Sequence, residues 1–512
     1  MGTGTWILLG LLGFLVAVGV YDVFQKKHAI LRNFPVIGHL RYLLESIGPE
    51  LRQYIVTSND EERPFSRDER SWVYASAKKQ NNYFGFGTDN AFEKTPNYLI
   101  IKQSMFPLPE PHKGDPNYDP GHNVPCAKIM GAWRNREKAF RPSSVINISA
   151  MSFGSLSARA TEAINRGCAE ANALHNTGEG GVSSYHDHGA GLIWQLGTGY
   201  FGARDAEGNL SIERLVEVCK NHRVKAVEVK LSQGAKPGRG GVLPAEKITE
   251  EISRIRGIPM GQTCISPAYH RAFKDVPSMI DTIESIADAT GLPVGIKSAI
   301  GREDFWIELA NTMEKTGRGP DYIQIDGGEG GTGAAPLVFS DHVSLPWRNA
   351  FPRIYKIFAE RGLHQEIIFM GSGRLGFPNN AFLAFGLGVD MISVAREAML
   401  AIGCIQAQRC HNGHCPTGVA THNKWLVRGL DPTNKAHRLA NYLTIFRKEV
   451  MWLTRACGYP HPGFIRGSDI EMLDTSYGGI SPTDLFEYGD GWELPKPEDL
   501  QAAAQLMQES RG

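Results

Sequence analysis

Three cysteines near the C-terminal end have the residue type and spacing of metal ligands. Cys404, Cys410 and Cys415 lie in the run GCIQAQRCHNGHCPTGVATHN with C-x5-C-x4-C spacing, whereas the other cysteines are scattered. Structural zinc normally takes four ligands in short C-x2-4-C pairs. Thiolates hold iron–sulfur clusters, and a set of three suggests a three-iron cluster. The pattern therefore favours a cluster, while zinc with His411 or His414, or buried free thiols, remain alternatives.

Glycine-rich segments carry the other candidate residues for chemistry. Glycine frees backbone N–H groups to meet a phosphate, and a nearby Arg adds positive charge. One such loop alone is usually only a tight turn, but several on one face indicate a phosphate-bearing cofactor. Beside a cluster, that cofactor is expected to be a flavin, which links one- and two-electron steps. The segments are SAMSFGSLS with Met151 and Ser152, NTGEGG with Glu179, VKLSQGAKPGRGGVLP with Lys230, Gln233 and Lys236, DGGEGGTGAAP with Gly327 and Gly328, GSGRLG with Gly371, Gly373 and Arg374, and VAREAM with Arg396.

Short apolar runs precede most of these segments and predict the strands that position them. The runs are VINISA (145–150), ALHNT (173–177), IWQLGT (193–198), KAVEVKL (225–231), PVGIKS (293–298), YIQID (322–326), IIFMG (367–371) and VDMISV (389–394). Helical or long crossovers separate several of them, which favours a parallel sheet. Eight such strands predict an α/β fold built on a (β/α)8 TIM-type barrel with polar residues at its C-terminal face. An open doubly wound sheet is the alternative, weakened because no G-x-G-x-x-G turn follows the first strand.

The N-terminal stretch has the composition of a transmembrane helix. Gly2 to Tyr21 carries no charged side chain, and 20 residues of helix span the hydrocarbon core of about 30 Å. Lys26, Lys27 and Arg32 follow and no Lys or Arg precedes, which predicts a single-pass protein with its catalytic domain in the cytoplasm. A buried N-terminal helix is the alternative. A cleaved signal peptide would need a basic n-region and a small-residue site, and neither is clear.

Composition and charge limit the classes of function. The 512 residues hold 54 basic and 54 acidic side chains, so no broad basic field exists to bind nucleic acid. Eight cysteines do not make a disulfide framework, which indicates a reduced compartment. We expect an anchor over 1–25, a linker and extension over 26–140, the barrel with its iron–sulfur loop over 141–450, and a C-terminal extension over 451–512. The amphipathic segment HLRYLLESIGPELRQYI is expected to pack on the domain rather than on a membrane.

The run from about Val145 to Asn423 resembles the FMN-binding synthase domain of glutamate synthase. ISAMSFGSLS, HNTGEGG, VKLSQGAKPGRGGVLP, ISP, DGGEGGTGAAP and the cysteine run occur in the order of that family. The resemblance implies a (β/α)8 barrel that holds FMN and a 3Fe-4S cluster. It further implies reduction of 2-iminoglutarate, formed from 2-oxoglutarate and ammonia, to L-glutamate.

The resemblance also implies roles for individual residues. The three cysteines would ligate the cluster, and Lys230 would lie against the flavin ring with Met151 and Ser152 beneath it. Lys236, Glu179 and Arg256 fall at positions that the family uses around the 2-oxoacid. These roles suit the chemistry of the side chains. Arg can hold a carboxylate through two parallel hydrogen bonds, Lys can stabilise a reduced flavin, and Glu can transfer a proton to or from an imine nitrogen.

Two departures from the family separate this chain from the full-length enzymes. A glutaminase domain is not recognised, so ammonia is expected to be free or to come from a partner. Val242 stands where the family has Gln after the AKPG loop, which leaves open a different 2-oxo or 2-imino acid or an amine as the substrate. The chain resembles stand-alone, membrane-anchored glutamate synthase-like proteins of bacteria. Its electron donor is expected to be ferredoxin or a membrane redox carrier, and a non-catalytic membrane-tethered scaffold is the remaining alternative.

Overall fold

The computed structural model describes residues 2–25, 27–57, 61–476 and 478–508. Lys26, on which the orientation prediction partly rests, lies outside the described residues, as do parts of the first and last predicted domains. The chain divides into two compact units, Met1–Arg70 and Ser71–Gly512. The domain boundaries predicted from the sequence at 25, 140 and 450 remain predictions.

The first unit is helical. It contains α1 (Thr3–Phe24), α2 (Ala29–Asn33) and α3 (Gly38–Leu51), followed by a π-helical turn over Arg52–Val56. Helix α1 has a mean hydropathy of 2.3 over its most apolar window, is exposed along nearly its whole length, and is the only described helix long and apolar enough to cross a membrane. The leucines of α3 are exposed, and the packing of the amphipathic segment on the domain remains a prediction.

Strands occur only in the second unit of the described chain. In chain order they are β1 (Tyr98–Ile101), β2 (Ile146–Ile148), β3 (His175–Asn176), β4 (Leu192–Leu196), β5 (Val224–Lys230), β6 (Val242–Leu243), β7 (Cys264–Ile265), β8 (Val294–Ser298), β9 (Tyr322–Asp326), β10 (Ile368–Ser372), β11 (Met391–Val394), β12 (Ile470–Leu473) and β13 (Gly479–Ile480).

Eight parallel strands close into a barrel, in the order β10-β11-β2-β3-β4-β5-β8-β9. The closure is made by β11 against β2, with Ile392 paired to Ile146, and by β10 against β9, with Ile368 paired to Tyr322. Each barrel strand coincides with one of the eight predicted runs, so the TIM-type barrel is confirmed and the open sheet is excluded. The strands are almost entirely buried, which explains why they are continuous apolar runs rather than alternating patterns.

Helices connect the barrel strands and cover them. In the second unit and at its start they are α4 (Arg67–Ala77), α5 (Ala158–Glu170), α6 (Ile212–Asn221), α7 (Glu250–Arg256), α8 (Val276–Thr290), α9 (Asp304–Thr316), α10 (Leu337–His342), α11 (Trp347–Ala359), α12 (Pro378–Gly386), α13 (Arg396–Ala401), α14 (Lys424–Val427), α15 (Pro432–Ala456), α16 (Pro482–Leu485) and α17 (Pro497–Gln508). Helix α15 packs on α5 and runs through the predicted boundary at residue 450.

Local sequence signals fix the starts and ends of the covering helices. Ser157 caps α5 by accepting a hydrogen bond from the Ala160 N–H, and Asp275 forms a capping box with Ser278 at the start of α8. Helix α8 ends at Gly291, whose φ of 71° suits the left-handed C-terminal position. Outside the barrel, β1 pairs with β12, so a segment before the barrel and a segment after it share one small antiparallel sheet.

Candidate active site

Four charged side chains from three segments of the chain meet at the C-terminal face of the barrel. The Lys230 Nζ lies 3.0 Å from Glu179 Oε2 and donates a hydrogen bond of 2.8 Å to Gln233 Oε1. Lys236 and Arg256 also act on the Glu179 carboxylate through their charges. The structure therefore brings together four residues that the sequence predicted for the site, although they come from distant parts of the sequence. They are Glu179, Lys230, Lys236 and Arg256.

The protonation states of this group follow from burial and charge. Burial raises the pKa of Glu179, but the cations of Lys230, Lys236 and Arg256 outweigh it and hold that pKa below 4.5. Burial lowers the pKa of Lys236 and also that of Arg256, while the Glu179 carboxylate opposes both shifts. Glu179 is thus ionised at neutral pH, and the group carries more positive than negative charge.

Glycines let the Glu179 carboxylate approach the backbone closely. A Cβ on Gly197 would lie 2.5 Å from Glu179 Oε2, and a Cβ on Gly241 would lie 2.4 Å from Oε1. Val242, the departure from the family pattern, follows Gly241 and pairs with Ile265 in the two-stranded β6–β7 sheet.

Arg256 links the loop after β2 to the same group. Its Nη2 donates to the Phe153 carbonyl at 2.9 Å, and its guanidinium lies 5.2 Å from the Phe201 ring centroid. The Arg256 Nε is buried without a hydrogen-bond partner in the described chain. Met151 and Ser152 are buried in the same loop, and a Cβ on Gly178 would lie 2.5 Å from the Ser152 nitrogen. The predicted residues after β2 thus lie against the segment that carries Glu179.

A second cluster contains three arginines around one acid. Arg396 donates to the Glu329 carbonyl, and the charges of Arg374 and Glu329 act on both Arg348 and Arg396. The Glu329 carboxylate accepts the Trp347 N–H at the first residue of α11, with distances of 2.8 and 3.1 Å. An anionic group therefore lies at a helix N-terminus among cations, which is the arrangement that binds phosphates.

The predicted glycines line this second cluster. A Cβ on Gly327 would lie 2.4 Å from Glu329 Oε2, and one on Gly373 would lie 3.3 Å from Oε1. Gly371 faces the Trp347 indole, whose Nε1 is buried without a partner in the described residues. The Gly328 N–H donates to the Leu345 carbonyl and so shapes the loop rather than pointing at a ligand. Arg374 has a left-handed backbone with φ of 52°, an uncommon conformation for a non-glycine residue.

The cysteine loop lies against the segment that follows β9, since a Cβ on Gly333 would lie 3.4 Å from Cys410 Cβ. The charges of Cys415 and Lys247 both act on Cys410, and the Lys247 Nζ donates to the Cys410 carbonyl at 2.7 Å. The Cys404 thiol accepts a hydrogen bond of 3.4 Å from the Gln406 N–H. In the described residues no group of three or more His, Cys, Asp or Glu side chains is placed to hold a metal ion. The donor set suits a cluster, which stays a prediction.

Three charged residues near the candidate site were not predicted from the sequence. Asp326 at the end of β9 accepts the Gly234 N–H at 2.9 Å and the Ser372 hydroxyl at 2.6 Å, and lies 3.5 Å from Lys297 Nζ. Lys297, the second-last residue of β8, pairs with Lys230 on β5. The Lys247 side chain donates a hydrogen bond to the Cys410 carbonyl in the cysteine loop. Asp326 and Lys297 could have been found from the sequence, because each is a charged residue in one of the last two positions of a buried strand. Nothing in the spacing of the sequence indicated Lys247.

Comparison with known sequences gives one consistent family. A sequence model described as the conserved region in glutamate synthase matches residues 125–460. The glutamate synthase large subunit-like protein YerD of Bacillus subtilis (strain 168) is 36% identical over 500 residues, which covers 89% of this chain and 94% of that protein. The archaeal glutamate synthase (NADPH) of Methanocaldococcus jannaschii is 36% identical over 329 residues, or 63% of this chain and 61% of that enzyme. The chain thus spans about three fifths of the archaeal enzyme.

Solved structures are more distant. A mandelate oxidase with an FMN adduct aligns over 84% of this chain and 98% of its own, with 14% identity and a TM-score of 0.42. A flavocytochrome b2 variant with bound pyruvate aligns over 85% of this chain, with 12% identity and a TM-score of 0.44. Likeness at this level is too weak to bear on the function.

Proposed function

Because the chain belongs to the glutamate synthase family of oxidoreductases, we propose that it reduces 2-iminoglutarate, formed from 2-oxoglutarate and ammonia, to L-glutamate. FMN and a 3Fe-4S cluster are the proposed cofactors. The observation that carries the proposal is the convergence of Lys230, Lys236 and Arg256 on Glu179 at the C-terminal face of the barrel. Active sites of barrel enzymes lie at this face.

The net positive charge of this group suits a dianionic 2-oxoacid. Arg256 has a buried Nε without a partner in the described residues, so it has a hydrogen bond to offer to a carboxylate. Among the described residues, the Lys236 Nζ donates one hydrogen bond, of 3.2 Å, to the Ala334 carbonyl. This partner is neutral, and a substrate carboxylate would replace it. We assign Lys236 and Arg256 to substrate binding. Glu179, ionised at neutral pH, is assigned to hold the imine N–H and to pass a proton at that nitrogen.

The arginine cluster and its glycines fit the phosphate end of FMN. Arg374, Arg396 and the start of α11 supply positive charge, while Gly371 and Gly373 leave space where side chains would otherwise stand. Lys230, Gln233, Met151 and Ser152 would hold the ring. FMN supplies hydride transfer and one-electron chemistry when bound. Lys230 and Lys297 would offset negative charge on a reduced ring, because both lie at adjacent strand ends.

The cluster is proposed from its donor set. Cys404, Cys410 and Cys415 have the right number and chemistry for three thiolate ligands. Burial raises the pKa of the Cys410 thiol, and the Lys247 cation opposes that shift.

The chain is proposed to be anchored by α1, with the barrel in the cytoplasm. The support is an exposed helix of spanning length, without a charged side chain up to Tyr21, followed by Lys27 and Arg32. Ammonia would be free or come from a partner, and ferredoxin or a membrane redox carrier would supply electrons.

A second candidate function is favoured by Val242. Its side chain is apolar where the family has an amide, and it follows Gly241, whose backbone lies close to the Glu179 carboxylate. The same barrel would then act on a different 2-oxo or 2-imino acid, or on an amine.

The cofactor proposal is tested on the full-length protein purified anaerobically in detergent. We expect a flavin spectrum together with iron and sulfide, and we expect Cys410→Ser to abolish the cluster signal while flavin remains. Cys219→Ser is the matched control, because Cys219 is one of the scattered cysteines. Stoichiometric zinc without iron or sulfide would show that the cluster assignment is wrong.

The substrate proposal is tested by following reoxidation of dithionite-reduced protein with 2-oxoglutarate and ammonium in the absence of oxygen. Lys236→Ala should lose a buried charge contact worth about 2–5 kcal/mol, a drop of roughly 30- to 5,000-fold, with FMN still bound. Lys225→Ala, at an exposed lysine of the same strand-and-loop segment, should be unaffected. If another 2-oxoacid speeds reoxidation and 2-oxoglutarate does not, the Val242 alternative replaces this proposal.

A further inference from the structure

Helix α3 has an apolar stripe that faces away from the protein. The stripe consists of Leu40, Leu43, Leu44, Ile47 and Leu51, whose exposed fractions range from 38 to 56%. Spacings of three and four residues place these side chains on one face of the helix. Isolated exposed leucines are ordinary, but a contiguous row marks an interaction surface.

The side of α3 away from the stripe makes the contacts with neighbouring residues of the first unit. The Tyr42 ring contacts the His28 ring edge-on with centroids 5.3 Å apart, and the His39 imidazole contacts the Asp22 carboxylate at 3.0 Å. The stripe takes no part in these contacts and stays exposed.

Several contacts fix the start of α3 to the last turns of α1. Asp22 is fully buried and accepts the Val36 N–H at 2.9 Å in addition to its contact with His39. A Cβ on Gly19 would meet the Val36 side chain at 3.5 Å, so the connecting segment packs directly on α1. Val36 itself has a φ of 64°, which a β-branched residue adopts only when its surroundings enforce it.

We propose that α3 lies in the surface of a phospholipid bilayer with its stripe buried among the lipids. The proposal rests on the proposed anchoring by α1. If α1 spans the bilayer, its last turns reach the interface, and the Asp22 contacts place the start of α3 at that depth. Amphipathic helices lie at this level with their apolar face about 5–10 Å deep.

Neighbouring residues extend the same surface. Phe34 and Ile37 precede the stripe and Ile55 follows it, each more than 60% exposed. The charges on α3 itself nearly cancel, since Arg41 pairs with Glu45 at 2.9 Å. Apolar burial rather than charge is therefore the main source of binding, and the occupant is the lipid of the membrane that α1 crosses.

Photo-crosslinking on the full chain reconstituted in phospholipid vesicles tests the proposal. Benzoylphenylalanine in place of Leu44 should give lipid adducts by mass spectrometry, and the same residue in place of Glu45, on the polar face, should not. Benzoylphenylalanine in place of Val16 reports separately whether α1 lies in the bilayer. Lipid adducts at Val16 with only protein adducts at Leu44, to a second copy or to the same chain, would overturn the proposal. The absence of lipid adducts at Val16 would instead overturn the anchor.

A second variant protects the test against a local effect of the probe. The double change Leu43→Gln and Leu44→Gln should raise the rate of trypsin cleavage after Arg52 in vesicles roughly tenfold, the equivalent of about 1.4 kcal/mol. Ser46→Gln, on the polar face, is the matched control and should leave the rate unchanged. An equal rate in the double variant and in the control would contradict an interfacial position for α3.

Discussion

At the scale of single residues, the site depends on one carboxylate among three cations. Glu179 has a pKa below 4.5 because the cations outweigh its burial. An acid with a lowered folded-state pKa stabilises the protein fully above its unfolded pKa, and this contribution is lost as the pH falls through the folded value. Glu179 therefore contributes fully at neutral pH and loses its contribution below about pH 4.5.

Glu179→Gln should lower the free energy of unfolding by about 3–5 kcal/mol at pH 7, because it leaves buried cations without their counter-charge. The difference from wild type should shrink as the pH is lowered below 4.5. Urea unfolding at several pH values measures it. Glu162→Gln breaks the surface pair with Arg166 and should cost at most about 0.5 kcal/mol. A difference for Glu179→Gln that does not change with pH would contradict the ionised assignment.

For Glu329, in contrast to Glu179, we expect removal of the negative charge to be favourable, because it should tighten FMN binding. Burial raises its pKa, and its carboxylate occupies the proposed phosphate region. Glu329→Gln keeps an oxygen for the Trp347 N–H and removes the negative charge. We expect tighter FMN binding by about 1 kcal/mol, roughly fivefold, measured by fluorescence titration of flavin-depleted protein. Weaker binding would place the phosphate elsewhere.

At the scale of elements, the sequence predicted all eight barrel strands, because each is a buried run that ends in Gly, Ser, Asn or another polar residue. Contacts between segments that are distant in the chain could not be predicted from the sequence. The approach of Lys247 to the cysteine loop and of Gly234 to the Gly327 carbonyl depends on how loops fold over the barrel. The donor set of the cysteines was apparent from their spacing, whereas the hydrogen bond of the Lys247 side chain to the Cys410 carbonyl was not.

The loop after β5 is held tightly against the loop after β9. A Cβ on Gly234 would lie 1.7 Å from the Gly327 carbonyl oxygen, so the backbone must shift to accept it. Gly234→Ala should destabilise the protein by about 3 kcal/mol or more and reduce its flavin content. Gly301→Ala is the control, because a Cβ there meets nothing within 4 Å, and it should stay within about 0.5 kcal/mol of wild type. Thermal unfolding and flavin absorbance check both, and equal behaviour would contradict the close approach.

At the scale of the whole molecule, the two compact units have different proposed tasks. The second unit contains the complete closed barrel and every candidate site residue. A chain that begins at Ser71 should therefore be recovered without detergent and retain its flavin, whereas the full chain should fractionate with membranes. Ultracentrifugation followed by flavin quantification measures both. Recovery of the intact chain in the soluble fraction would refute the anchor, and loss of flavin from the shortened chain would show that the barrel needs the first unit.

The Asp326 carboxylate also sets an order of events during synthesis. It ties together the loop after β5, the end of β8 and the end of β10, and the last of its partners, Ser372, is made well after Glu179 and Lys230 have left the ribosome. The barrel itself closes only when β10 and β11 have joined it, because these strands complete the ring between β9 and β2. The residues proposed to bind the substrate are therefore translated early, and the nascent chain passes through a long interval in which these side chains are present but the candidate site is not yet formed.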